Sequence, residues 1–240
     1  MAFGDTIKKV TAINKQTGSE YLNKQVNAVL QTEKNPRVIW RQLTLSIYQS
    51  PSNLKLHTQR ILYCLDNDLH KGLSEYASGA LYDLFVTLNE KGSELRHRMF
   101  NLASPIMSFA DRAYFQVWLS ENTDKNLACY QFSGSVLKSK TCQNQNGDTK
   151  NSFRVSPPFE NTLEEAKYKI ESGQLEQAQT LLEDFCLKKI NNIASQQELQ
   201  RFYFYTKDKK SMDAFMLQLK DSGVKVPKTW IELQALSKAW

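Results

Sequence analysis

Apolar residues recur along the first half of the chain at helical spacing. Val26, Val29 and Leu30 form one set, Val38, Ile39, Leu43 and Ile47 a second, and Leu54, Ile61, Leu62 and Leu65 a third. Leu81, Leu84, Phe85 and Leu88 follow at i, i+3, i+4 and i+7, which is one stripe of an amphipathic helix. A further segment runs from Pro105 through Phe109, Ala113, Val117 and Trp118. The pairs Asn35-Pro36, Ser50-Pro51 and Ser104-Pro105 each set a side-chain acceptor before a proline. Proline suits the first helical position, where an N–H would go unpaired anyway. Gly92 reads as the stop of the helix carrying Leu81–Leu88. The pattern predicts a helical bundle over residues 1–121, with about six or seven helices from residue 5 onward.

From 122 to 160 the periodicity is lost. Ser, Thr, Asn, Gln, Lys and Gly dominate, and Pro157-Pro158 ends the stretch. Asn146-Gly147 suits a tight turn between the strand-like runs Val136–Cys142 and Ser152–Val155. The stretch therefore reads as a polar linker or a small β-hairpin between two domains.

Helical patterning resumes over 161–240. Three capping boxes stand out, in which a Ser or Thr hydroxyl and a Glu three residues later satisfy the first backbone N–H groups. They are Thr162-x-x-Glu165, Ser195-x-x-Glu198 and Thr229-x-x-Glu232, 33 and then 34 residues apart. Such a period is that of a repeated helix–turn–helix unit. Residues 162–186, TLEEAKYKIESGQLEQAQTLLEDFC, resemble a tetratricopeptide-type helical hairpin. The resemblance makes Ala166 the small residue where two helices touch, Gly173 the turn with Leu175 just after it, and Ala178 and Leu182 inward-facing. It implies an α-hairpin repeat domain with a groove that docks a peptide or partner helix. The second unit departs from the pattern, with Leu199 at the small position and Lys-Asp-Lys-Lys at the turn. The third would be a single capping helix. The fold class expected is all-α: an N-terminal bundle, then tetratricopeptide-like hairpins.

Charge is distributed, not gathered in a tail. The formal net charge is +6 over 240 residues, with a pI near 9.0. Residues 160–184 carry 7 acids against Lys167 and Lys169, and 186–228 carry 9 bases against 4 acids. Neighbouring helices can attract through that alternation, or offer a basic face to a partner. The opening MAFGDTIKKV lacks the apolar core of a leader, and no long uncharged apolar run follows, so a cytoplasmic protein without membrane contact is expected. Cys64, Cys129, Cys142 and Cys186 include no C-x-x-C pair, so reduced thiols are expected. Cys129 and Cys142 flank a polar segment, which leaves pairing under oxidation open to them.

Catalytic signatures are missing from the sequence. The closest glycines, Gly72 and Gly79, are seven residues apart, too sparse for a phosphate loop. His57, His70 and His97 form no metal-binding motif, and Asp66 and Asp68 lack the glycine of a calcium loop. His57 and Cys64 are two helical turns apart, beyond direct proton transfer. No enzyme, metal or cofactor is implied. Two clusters suit binding instead. Arg201, Phe202, Tyr203, Phe204, Tyr205, Lys207, Lys209 and Lys210 form the candidate partner-binding set. Four consecutive aromatics cover every side of a helix, so some face away from the local core. Either they are exposed, able to anchor a protein or stack bases, or Phe202 and Tyr205 pack inside while Tyr203 and Phe204 touch neighbouring helices. Arg96, His97, Arg98 and Arg112 form a candidate site for an anionic partner, with Lys138, Lys140, Lys150 and Arg154 as possible additions. The expected function is that of an adaptor or scaffold protein binding another protein or peptide, with nucleic acid as the alternative partner.

Overall fold

The computed structural model describes residues 35–65, 72–121, 132–137, 161–223 and 226–240. They contain ten α-helices and no strand, so the described chain is all-α. Two compact units emerge. The first gathers the described residues up to 137 together with Ile170–Gln174, and the second holds 161–169 and the described residues from Leu175 onward.

In the first unit α1 is Pro36–Gln49, α2 Leu54–Leu65, α3 Ala77–Leu88, α4 Ser93–Ala103 and α5 Phe109–Glu121, with 3-10 turns at Ser74–Tyr76 and Ser104–Ile106. α2 packs on α1 and α3, α3 on α4, and α4 on α5. Local chemistry sets the starts. Asn35 Oδ1 accepts the Arg37 N–H at 3.1 Å, with Pro36 at the first helical position. The other proline signals fall short of the helices they were expected to open. Ser50 caps the end of α1, and α2 begins beyond Asn53, whose Oδ1 faces the Leu56 N–H at 3.4 Å. Ser108 Oγ, not Ser104, accepts the Asp111 N–H at 3.1 Å as α5 begins. Gly92 precedes α4, and α3 ends at Asn89, which carries the positive φ of 51°.

Leu81, Leu84 and Phe85 are buried as their spacing predicts, each burial contributing roughly 1.5–3 kcal/mol. The segment read on α5 divides, with Trp118 turned inward and Phe109 and Val117 outward. Phe115 and Trp118 enter an aromatic core with Tyr82 and Phe85, whereas Phe109 is 80% and Val117 42% exposed. Periodicity marks an apolar stripe without saying which of two stripes goes inside. Here the larger rings win, because they bury more area.

In the second unit α6 is Thr162–Glu171, its last two residues belonging to the first unit. α7 spans Leu175–Lys188, α8 Ile193–Thr206, α9 Lys209–Asp221 and α10 Lys228–Leu236, with a 3-10 turn at Ser237–Ala239. α8 packs on α7 and on α10. Ala166, Ala178 and Leu182 are fully buried, Leu175 nearly so, and Gly173 takes a left-handed φ of 85° between α6 and α7.

The capping boxes are corrected. Asn161 Oδ1 accepts the Glu164 N–H at 3.0 Å, and Asn192 Oδ1 accepts the Ser195 N–H at 3.0 Å. Ser195 therefore lies inside the first turn of α8, and Thr229 Oγ1 accepts from Gln200 Nε2 at 2.8 Å. Asparagine is as good an N-cap as serine, and here it stands earlier in the chain. α6, α8 and α10 begin at 162, 193 and 228, intervals of 31 and 35 residues. The regular 33/34 period is thus not a period of helix starts. Val136 and Leu137 belong to no strand, and the rest of the expected β-hairpin lies outside the described residues, as do Cys129 and Cys142.

Candidate functional site

The two clusters expected from the sequence are placed as follows. Phe202, Tyr203, Phe204 and Tyr205 are each at most 2% exposed, so they form no outward stacking or anchoring surface. The exposed reading of these rings fails, because α8 is buried on every side near its C-terminal end. Tyr203 packs on Phe215 and Trp230, and its hydroxyl donates to Glu183 Oε1 at 2.5 Å. Arg201 is half-buried beside Glu198, whereas Lys209 and Lys210 are exposed. Lys207, at the left-handed C-cap of α8 (φ 58°), sets its ammonium 5.4 Å from the Phe204 ring and 5.2 Å from the Trp240 ring. Burial holds its pKa down to about 8.

The second cluster divides. Arg96 is 1% exposed, with its guanidinium 5.7 Å over the Phe85 ring, so it presents nothing to an external anion. His97 and Arg98 are exposed on α4, and Arg112 on α5 is half-exposed. Lys138, Lys140, Lys150 and Arg154 lie outside the described residues.

A third constellation was not read from the sequence. Arg60 on α2 and Asp83 on α3 have wholly buried side chains, and Arg60 Nη1 donates to Asp83 Oδ2 at 2.7 Å. The carboxylate also accepts the Ser135 hydroxyl at 2.8 Å and the Leu137 N–H at 3.0 Å, both on Oδ1, and the Val136 N–H at 3.1 Å on Oδ2. Arg60 Nη2 donates to the Gly134 carbonyl, and the guanidinium lies 4.3 Å over the Trp40 ring. Burying an unpaired charge costs several kcal/mol, and this pairing with added hydrogen bonds offsets the cost. Burial pulls Arg60 below its ordinary pKa, and Asp83 opposes that pull.

Glycines allow the backbone to approach. A Cβ on Gly79 would stand 2.2 Å from the Ser133 carbonyl oxygen and 2.5 Å from the Ser135 nitrogen. On Gly173 it would stand 2.0 Å from the Ser135 oxygen, and on Gly134 (φ 86°) 2.8 Å from Tyr76 Cβ. Glycines separated by dozens of residues thus meet in space. At the adjoining turn Glu171 accepts from Arg37 and from Arg41, the latter at 2.7 Å, and its carbonyl accepts Trp40 Nε1 at 2.9 Å. The Ser172 carbonyl accepts the Gly134 N–H at 3.0 Å.

The surrounding titratable groups are held in inert forms. Burial pushes the Cys64 thiol up to about 12. Burial pulls His57 below its ordinary value, so the ring is neutral, and its Nε2 lies 2.7 Å from the Pro51 carbonyl oxygen. Among the described residues no group of three His, Cys, Asp or Glu is placed to hold a metal ion, and no helix is long and apolar enough to cross a membrane. The arrangement around Asp83 grips main chain, as a peptide-binding surface does.

Comparisons with protein-family models, with curated proteins and with solved structures found no match for this chain.

Proposed function

We propose that this is a non-catalytic interaction protein, an adaptor whose docking face is the outward stripe of α5. The observation that carries this reading is Phe109, 80% exposed, with Ala113 and Val117 following at i+4 and i+8 on the same face. Leu102 near the end of α4 is 45% exposed. An i, i+4, i+8 apolar stripe is what a partner helix packs against. The arginines nearby in sequence, Arg98 and Arg112, with His97 beside them, favour a partner that is acidic beside its apolar face. Asp111, the acid within this stretch, is engaged by the Ser78 hydroxyl at 2.7 Å. The second unit is read as successive tetratricopeptide-like hairpins, supported by the burial of Ala166, Ala178 and Leu182 and the left-handed turn at Gly173. That likeness is best in the first hairpin. Nucleic acid is the weaker reading, since the aromatic platform that supported it is buried.

The test places a photoreactive residue at Phe109 or Val117 and, as a control, at Leu62, which is 49% exposed on α2. A protein captured from both α5 positions and not from Leu62 should bind the purified chain. Its affinity should fall at least about tenfold with Phe109→Asp and more weakly with Arg98→Glu. Equal capture at all three positions, or binding indifferent to Phe109→Asp, would overturn the proposal. Steeply salt-dependent capture of an oligonucleotide instead would favour the nucleic-acid reading.

A further inference from the structure

The segment Phe132–Leu137 lies between α2, α3 and α5 and the Ser172–Gly173 turn, as a ligand lies in a receptor. Phe132, 3% exposed, enters an aromatic pocket with ring centroids of Tyr82, Tyr114 and Phe115 at 5.2, 5.0 and 5.3 Å. Ser133 contributes its backbone, which passes over Gly79. Gly134 is required twice: by its left-handed φ, and by Tyr76 beneath it. Ser135 supplies a hydroxyl to Asp83, and Val136 and Leu137 supply main-chain N–H groups while their side chains stay half-exposed. Thus one side chain fills a pocket, one position admits glycine, one donates a hydroxyl, and the remaining recognition is directed at main chain. Ordinary core packing is read by side-chain volume, whereas peptide recognition combines main-chain hydrogen bonds with a few side-chain pockets. The charged groups making those bonds, Arg60 and Asp83, are 0% exposed and come from the helices, so the receptor half is a built site.

We infer that this face of α2, α3 and α5 is a peptide-recognition site for Phe-x-Gly-Ser, occupied by the chain's own copy and open to the same sequence in trans once that copy is withdrawn. The ligand class is an extended peptide with an aromatic anchor, a glycine two residues on and a hydroxyl after it. Partners displaying that sequence compete with the internal copy, whose tether gives it an effective concentration on the order of millimolar. The inference is independent of the α5 outward stripe, because Phe109 takes no part in it.

The experiment uses the full chain carrying Phe132→Ala with Ser135→Ala, and a blocked hexapeptide of sequence Phe-Ser-Gly-Ser-Val-Leu. The peptide should raise the melting temperature of this variant saturably, as a ligand specific for the folded state does, and leave the wild-type chain unchanged. Replacing glycine with alanine in the peptide, or phenylalanine with alanine, should weaken the effect at least about tenfold. A folded variant showing no saturable shift up to about 1 mM peptide would overturn the inference, as would equal potency of the glycine-to-alanine peptide. Hydrogen exchange on the wild-type chain gives a second test that needs no variant. The Val136 and Leu137 amides should exchange through a local opening, faster than the Leu84 and Phe85 amides of α3. Protection equal to those core amides means the segment leaves only on global unfolding, and the trans site falls with it.

Discussion

Both units bury packed aromatic rings, and the first adds close main-chain approach to them. In the first, backbone meets backbone: Gly79, Gly134 and Gly173 let three stretches of chain touch, and the buried Arg60–Asp83 pair satisfies the groups they bring. In the second, large side chains meet each other. Tyr203, Phe215 and Trp230 pack ring against ring, with Met212, Met216 and Leu233 buried beside them. An interior built on close main-chain approach tolerates neither an added methyl nor a lost charge. One built on volume tolerates the loss of a polar atom if the shape is kept.

The sharpest break of this contrast is at Asp83. Asp83→Ala strands a buried guanidinium and two N–H groups, and should cost about 3–5 kcal/mol in urea unfolding. Asp83→Asn, nearly the same shape, should recover little, because the missing quantity is charge. Adding Arg60→Met to Asp83→Leu should recover part of the loss, since no charge is then unpaired, though the Val136 and Leu137 N–H groups still lack acceptors. Near-wild-type stability of Asp83→Asn would mean that the charge pair does not hold the first unit together.

Next comes Gly79→Ala. In a helix interior this exchange stabilises by about 1 kcal/mol, and in the first turn of α3, where Gly79 lies, by at most that. Here the new Cβ would collide with Ser133 and Ser135 main-chain atoms, and such overpacking costs roughly 1–3 kcal/mol. The net sign should be destabilising, with early exchange of the Val136 amide marking loss of the docked segment. A stabilised Gly79→Ala chain would remove the case for close approach.

That glycine shows where sequence reading stops. The α3 stripe was legible, and so was the Asn35-Pro36 start, because both are decided within one turn of chain. Ala166, Gly173 and Ala178 were legible through the hairpin resemblance. Asp83 and Arg60 were not, since their meaning depends on which helices meet and not on local spacing. Gly79 did carry a signal: a glycine inside an apolar helical stripe is costly unless something must come close. Phe109 was misread, and the exposed reading of the Phe202–Tyr205 run fails, for one shared reason. Periodicity gives the angle of a side chain around its helix, while neighbours decide which angles are covered.

In the second unit the matching shape-preserving change is Tyr203→Phe. It removes a hydroxyl bonded to the Glu183 carboxylate at 2.5 Å and leaves the ring packing intact. Hydrogen bonds to charged groups contribute about 1.5–3 kcal/mol, and half-buried Glu183 keeps Gln179 as a donor at 2.7 Å. The loss should therefore be near 1.5 kcal/mol, smaller than for Asp83→Asn. The opposite ranking of these two exchanges would reverse the contrast.

A glycine should help where the first unit has a positive φ without one. Asn89 ends α3 with φ 51° and ψ −120°, a conformation that a side chain strains. Asn89→Gly should raise stability by about 1 kcal/mol, with the Phe85 carbonyl still accepting the residue 89 N–H. A loss of stability would mean the asparagine side chain holds that turn.

The smallest effect concerns a charge at the edge of the second unit's aromatic interior, Lys207. Burial lowers its pKa from 10.5 to about 8, while the Phe204 and Trp240 rings favour the cation and limit the change. Below about pH 8 folded and unfolded chains both hold the proton, and the burial cost is constant. Between about 8 and 10.5 the unfolded chain binds the proton more tightly than the folded one, so stability from this group rises with pH. Cys64 and Cys186 push the other way in that range, because their thiols ionise earlier in the unfolded chain. The measurement is therefore the difference between wild type and Lys207→Met across pH 7 to 11, in which the thiols cancel. Wild type should gain on the variant through that window and run parallel to it below pH 8. A flat difference would show that the rings hold the cation as well as water does, and that the aromatic interior of the second unit tolerates charge at its edge without cost.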